Sequence, residues 1–221
     1  MCGIVGYIDE QGVSKDFLHR LNERQQYRGP DGGDEWIYKT VGLAHRRLAI
    51  IDTTDAARQP MMNEHEDLVL VFNGEIYNYK ELRALLSAEH RFRSASDGEI
   101  LLHLYEEKGI AMLDLLEGMF AFALFDKRES RLFLCRDRLG IKPLFYAWIG
   151  TRFAFSSELA PLTLFFDTRG AIDKEATTEY LTLGYINAPR TIYEQIKKLP
   201  PGQYLAIDPL SYRKQVAPVS Y

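Results

Sequence analysis

Several short segments of this 221-residue chain carry side chains able to do chemistry. The first is the terminus, Met1-Cys2-Gly3-Ile4-Val5-Gly6-Tyr7-Ile8. Initiator methionine is removed most readily before a small side chain, and Cys2 is small. Removal would leave a thiol and a free α-amine on one residue, a nucleophile beside its own base. An α-amine titrates at about 7.7–8.0, low enough to take up a proton near neutrality, and a thiol is intrinsically nucleophilic. The plain alternative is a small buried hydrophobe. The apolar run after Cys2 reads as a strand that ties the terminus down.

The second segment is Phe72-Asn73-Gly74-Glu75-Ile76-Tyr77-Asn78. Asn-Gly after a β run is a hairpin signal. The same pair offers a side-chain amide donor and an N–H that a ligand oxygen can approach with no Cβ in the way, as in an oxyanion hole. In His45-Arg46-Arg47, neighbours on a strand face opposite ways. One arginine can therefore clamp a carboxylate while the other faces elsewhere. Asp97, in Ser94-Ala95-Ser96-Asp97, reads as a helix N-cap or as a receptor for a ligand ammonium. Arg28-Gly29-Pro30-Asp31 reads as a surface loop. Arg136–Pro143 reads as a salt-bridged turn.

The bulk composition is that of a globular domain, 46% hydrophobic and 26% charged, with a net charge of −4. No basic track suited to nucleic acid is present, and no apolar run is long enough to span a bilayer. Two cysteines, Cys2 and Cys135, make no disulfide framework. With no secretory signal at the N-terminus, a cytoplasmic protein is expected. The five histidines are scattered without metal-ligand spacing, so no metal is expected. No phosphate-binding Gly-rich loop is present.

Strands are expected at Gly3–Ile8, Glu35–Lys39, Leu43–Ile51, Leu68–Phe72, Met119–Phe125, Leu132–Cys135, Leu144–Trp148 and Arg152–Ser156. The uniformly apolar Phe120–Phe125 run demands burial on both faces. Helices are expected at Asp16–Gln26, at Tyr79–Ala88 led by Asn78, at Asp97–Lys108 closed by Gly109, and at Asp173–Leu183. The pattern weakens between Leu162 and Asp173. We read residues 1–167 as one domain and 168–221 as an extension toward a further domain, the alternative being an arm packed on the same domain.

In sequence order, these segments resemble the class II glutamine amidotransferase domains, members of the N-terminal-nucleophile hydrolases. The likeness is strongest to the glutaminase half of glutamine-hydrolysing asparagine synthetases. It is carried by Met1–Gly6, Arg28–Asp31, His45–Asp52, Gln59-Pro60-Met61, Asn73–Asn78, Ser96–Glu99, Gly118–Ala123, Arg136–Leu144 and Lys198–Gly202. The resemblance implies an α+β fold, a four-layer αββα sandwich of two mainly antiparallel sheets covered by helices. It implies that Cys2 attacks the side-chain amide of L-glutamine, with Asn73 and Gly74 holding the oxyanion. It also implies that Arg47 grips the α-carboxylate, that Asp97 binds the α-ammonium, and that Glu75 with the backbone of Ile50 and Ile51 completes the pocket. No cofactor is implied for this half. ATP and Mg²⁺ belong to an ATP-dependent synthetase domain, the expected partner, which would use the ammonia for asparagine. The resemblance allows a homodimer. Two other readings are a non-catalytic glutamine-binding or docking lobe, and an amidotransferase domain serving a polysaccharide or secondary-metabolite pathway. The joint presence of Cys2, Asn73, Gly74 and Asp97 weighs against the lobe.

Overall fold

The computed structural model describes residues 1–86, 88, 90–166, 170–210 and 216–221. In chain order these include β1 (Gly3–Asp9), α1 (Lys15–Glu23), β2 (Gly32–Tyr38), β3 (Val41–Arg47), β4 (Met61–Met62), β5 (Leu68–Ile76), α2 (Tyr79–Leu85) and α3 (Ile100–Lys108). They continue with β6 (Gly118–Asp126), β7 (Arg131–Arg136), β8 (Phe145–Ile149), β9 (Arg152–Ser156), α4 (Leu159–Leu162), α5 (Lys174–Leu183), β10 (Ile196–Lys198), β11 (Gln203–Ile207) and β12 (Val219–Ser220). Among the described residues the strands form two six-stranded sheets, ordered β10-β8-β9-β1-β3-β2 and β12-β11-β7-β6-β5-β4. All their pairings are antiparallel.

Strand alternation sorts the core into three layers. Ile4, Ile8, Val41 and Leu43 of the first sheet meet Val69, Val71, Ala121, Ala123 and Phe125 of the second. The opposite face of the first sheet, with Val5, Tyr7 and Ala44, packs on Leu18 and Leu21 of α1 and Leu162 of α4. The opposite face of the second, with Leu70, Phe72, Phe122 and Leu124, packs on Leu82 of α2 and Ile100, Leu101 and Leu104 of α3. The product is the four-layer αββα sandwich implied by the resemblance. The Phe120–Phe125 run is apolar throughout because Phe120, Phe122 and Leu124 face the helices and Ala121, Ala123 and Phe125 face the other sheet.

Several local expectations are corrected. Asn73-Gly74 makes no hairpin. β5 runs on through both to Ile76, pairing Asn73 with Ala121 and Gly74 with Phe120, and neither residue has the positive φ that the tight hairpin turn needs. A Cβ on Gly74 would lie 2.4 Å from the Met119 carbonyl, so glycine here serves close strand approach rather than a turn. The strand expected over Leu43–Ile51 stops at Arg47, because the backbone beyond it turns to other partners: Leu48 N–H to the Cys2 sulfur and Ala49 N–H to Asp31 Oδ2. Ser96 rather than Asp97 is the cap, accepting from Gly98 N–H. Asn78 does not cap α2; its amide bridges Leu115 O and Glu117 N–H. α3 is buried at every position from Ile100 to Tyr105, more fully than a one-sided pattern requires. The Arg136–Pro143 turn is tied to backbone: Arg136 donates to the carbonyls of Gly140, Lys142 and Leu199, and Asp137 accepts from Leu139, Ile141 and Lys142 N–H.

The boundary read at 167/168 lies outside the described residues. Downstream of it, Asp173 caps α5 through Ala176 N–H, β10 pairs with β8, and β11 pairs with β7.

The inter-sheet layer sets a quantitative expectation. Phe125→Ala should cost about 3–5 kcal/mol of unfolding free energy in urea denaturation, the usual cost of truncating a buried phenylalanine. Leu139→Ala, at a side chain 79% exposed, should stay within about 0.5 kcal/mol of the parent.

Candidate active site

At one end of the sandwich the apolar filling between the sheets gives way to polar side chains around a cavity of about 660 Å³, partly open to solvent. Strand alternation explains who lines it. Cys2 precedes β1 on the parity of Ile4 and Ile8, which face the second sheet. His45 and Arg47 continue the inward row of Val41 and Leu43 on β3. Asn73 continues the inward row of Val69 and Val71 on β5. Cys2, Arg47, Ile50, Ile51, Asn73, Gly74, Glu75 and Asp97 all line the cavity, as do His45, Asp52, Gln59 and Lys142. All eight residues named from the sequence are therefore brought together.

The cysteine is held on three sides. Its carbonyl accepts from Arg28 Nε at 2.9 Å. Its sulfur lies 3.4 Å from Leu48 N and 3.6 Å from Leu48 O. Next along β1, Ile4 exchanges hydrogen bonds with Ser157. Arg28 is buried and paired with Glu158. The loop read as plain surface is thus a bracket around the terminus. Gly29 fits there because a Cβ would lie 2.4 Å from the Arg46 carbonyl carbon. Burial raises the Cys2 thiol above its ordinary value, while Leu48 N–H, the terminal ammonium, Arg47 and Lys142 pull it down. In the full chain Cys2 N is joined to Met1, whose sulfur lies 3.5 Å from Lys142 Nζ.

Two donors face the cavity from β5. Asn73 is buried, and its Nδ2 has no hydrogen-bond partner. Phe72 N–H donates to Gln59 Oε1 at 2.6 Å and Ile76 N–H to Asp97 Oδ2 at 2.8 Å. Both point away from β6, so by the two-residue period the Gly74 N–H points the same way. β4 pairs only with Val69 and Leu70, leaving that N–H beyond its end.

The charged residues divide as a strand requires. Arg46 faces α1, bonded to Asn22 O and Glu23. Arg47 faces the cavity, with one guanidinium nitrogen on Asp52 O at 2.6 Å. Asp97 stands opposite in sign; burial raises its carboxyl, Ile76 N–H opposes the shift and Glu75 adds to it. The side chains of Ile50 and Ile51 are exposed, so their contribution to a pocket is chiefly backbone. His45 is completely enclosed, with Nε2 3.2 Å from Phe72 O. Burial, helped by Arg47, pushes it down to about 3, so it is neutral near pH 7. The sequence reading gave no site role to Arg28, His45 or Lys142, although each lies in a segment that carries the resemblance.

The fold is thus a four-layer αββα sandwich with Cys2 on the wall of a cavity between its two sheets. Glutamine phosphoribosylpyrophosphate amidotransferase from B. subtilis, complexed with ADP and GMP, superposes with a TM-score of 0.70 at 19% identity over 99% of this chain and 49% of that one. The family model for the glutamine amidotransferase domain matches residues 1–216. The chain belongs to that family. It is 44% identical over 167 residues to asparagine synthetase [glutamine-hydrolyzing] 2 of Bacillus subtilis, covering 73% of this chain and 22% of that protein. It is 37% identical over 229 aligned positions to putative asparagine synthetase [glutamine-hydrolyzing] 2 of Methanocaldococcus jannaschii, covering 94% and 44%. The chain thus spans less than half the length of these curated relatives.

The neutral His45 gives a pH signature. Between about pH 6.5 and 3 the unfolded chain holds one more proton at this residue than the folded one. Its contribution to stability therefore falls by about 1.4 kcal/mol per pH unit as the pH drops through that window. Urea melts of the parent and His45→Gln across the window should show the parent losing stability more steeply on acidification. Parallel pH profiles would exclude a neutral buried imidazole.

Proposed function

We propose that the chain hydrolyses the side-chain amide of L-glutamine to glutamate and ammonia through a thioester on Cys2. The observation that carries this reading is the buried Asn73 Nδ2 without a partner, beside the strand-edge N–H of Gly74, in the cavity that holds the thiol. Leaving a buried amide donor unpaired costs about 1–3 kcal/mol, which an incoming oxyanion would recover.

Once Met1 is removed, the Cys2 α-amine takes the thiol proton as sulfur bonds to the amide carbon. Asn73 Nδ2 and Gly74 N–H hold the oxygen of the tetrahedral intermediate. The amine returns the proton to the leaving nitrogen, ammonia departs, and a thioester remains. The same amine then takes a proton from water as water attacks the thioester carbon, and glutamate leaves with the thiol restored. Arg47 receives the substrate α-carboxylate and Asp97 its α-ammonium, with Glu75 and the Ile50 and Ile51 backbone closing the pocket. These steps call on no cofactor. ATP and Mg²⁺ would serve an ATP-dependent synthetase domain like that implied by the asparagine synthetase relatives, with the ammonia passed to aspartate. A cytoplasmic setting suits a reactive thiol.

Glutamate release from glutamine tests this directly, with intact mass used to establish Met1 removal. Cys2→Ala should abolish release. Asn73→Ala should lower kcat by about 10²–10³ with a modest change in KM. Asp97→Asn should act mainly on KM. Unchanged release from Cys2→Ala, in protein shown to lack Met1, would refute the assignment.

A further inference from the structure

The sequence shows no metal-ligand spacing, yet folding brings His90, His103 and Glu106 together on the helical side of the second sheet, away from the cavity. One potential ligand atom from each lies within 4.8 Å of the others. Glu106 Oε2 is 3.1 Å from His103 Nδ1 and 3.4 Å from His90 Nδ1. Two ligands each about 2.0–2.1 Å from a tetrahedral Zn²⁺ stand about 3.3–3.4 Å apart. His103 and Glu106 are three residues apart and so share one face of α3, while His90 comes from the segment before that helix.

We propose that His90, His103 and Glu106 bind a Zn²⁺ ion through His90 Nδ1, His103 Nδ1 and Glu106 Oε2, with a fourth position left for water. The atoms behind these three argue for it. His90 Nε2 lies 3.1 Å from Glu107 Oε1. Glu106 Oε1 accepts from Asn63 Nδ2 at 2.8 Å. His103 Nε2 faces Glu99 Oε1 at 3.8 Å. Metal-bound imidazoles and carboxylates are held by partners of this kind on their far sides. Two imidazoles crowd one carboxylate oxygen, their rings 4.7 Å apart. Two imidazoles and one carboxylate suit Zn²⁺ better than Mg²⁺ or Ca²⁺, which prefer oxygen ligands. The ion would tie the segment at His90 to α3. Glu99, behind His103, already holds that segment through Arg93 N–H, Ser94 N–H and Ser94 Oγ.

The test uses the tag-free full chain, stripped with a chelator and dialysed against Zn²⁺, with bound metal measured by elemental analysis. Co²⁺ serves as a visible spectroscopic probe. The parent should retain one Zn²⁺ and give a tetrahedral-type Co²⁺ spectrum that Zn²⁺ abolishes. His90→Ala and Glu106→Gln should lose both signals with circular dichroism unchanged. Glu107→Gln should weaken affinity about 10–100-fold. Cys2→Ala and His65→Ala should bind as the parent does. Absence of retained metal in the parent, equal retention in His90→Ala, or loss of binding in Cys2→Ala would overturn the proposal; the first of these would leave an ion-pair cluster only.

Discussion

The site depends on one constraint: side chains alternate along a strand, and the two sheets face each other across a shared layer. The inward row on β1 and its approach is Cys2, Ile4 and Ile8; on β3 it is Val41, Leu43, His45 and Arg47; on β5 it is Val69, Val71 and Asn73. Each row is apolar in the middle of the sandwich and reactive at the same end. A slip of one residue in the β1–β3 register, which pairs Gly3 with Arg46 and Ile4 with His45, would turn an inward row outward. The packing that stabilises the fold therefore also sets the Cys2 thiol in the same cavity as Asn73 and Gly74.

The end of the sandwich carries polar groups at a cost that the surrounding structure offsets. Arg28, Leu48 and Ser157 hold the first residues of β1 so that the thiol does not fray away. Arg47 and Asp97 place one basic and one acidic side chain on the cavity wall. Arg46, one residue from Arg47, serves the opposite layer by bonding to the end of α1. His45 stays neutral beside Arg47 and so adds no third positive charge near the sulfur. Of the buried side-chain donors without a hydrogen-bond partner among the described residues, the Asn73 amide is the one that lines the cavity, which is the pattern of a group kept ready for a ligand.

Much of this was legible in the sequence because strand and helix periods are local properties. The Arg152–Ser156 strand falls where the pattern puts it, and the all-apolar Phe120–Phe125 run already implies a sheet buried on both faces. That these eight residues line one cavity was legible through the family resemblance and, for Cys2, Asn73, Gly74 and Asp97, through their own chemistry. Three kinds of feature were not. Asn73-Gly74 carries a turn signal that β6 pairing overrides. Arg28 acts on Cys2 from 26 residues away, a relation that no local window contains. His90 and His103 share no motif spacing, and only the burial of α3 brings them together.

The central claim is that the residue-2 sulfur, freed at its amine, is the atom that meets the substrate amide carbon. A glutamine analogue with an electrophilic carbon in place of the amide tests this most directly. After incubation with the Met1-free protein, peptide mass mapping should find one adduct, on Cys2, and glutamine in excess should prevent it. Modification at Cys135, or labelling of Cys2 that glutamine fails to slow, would contradict the account.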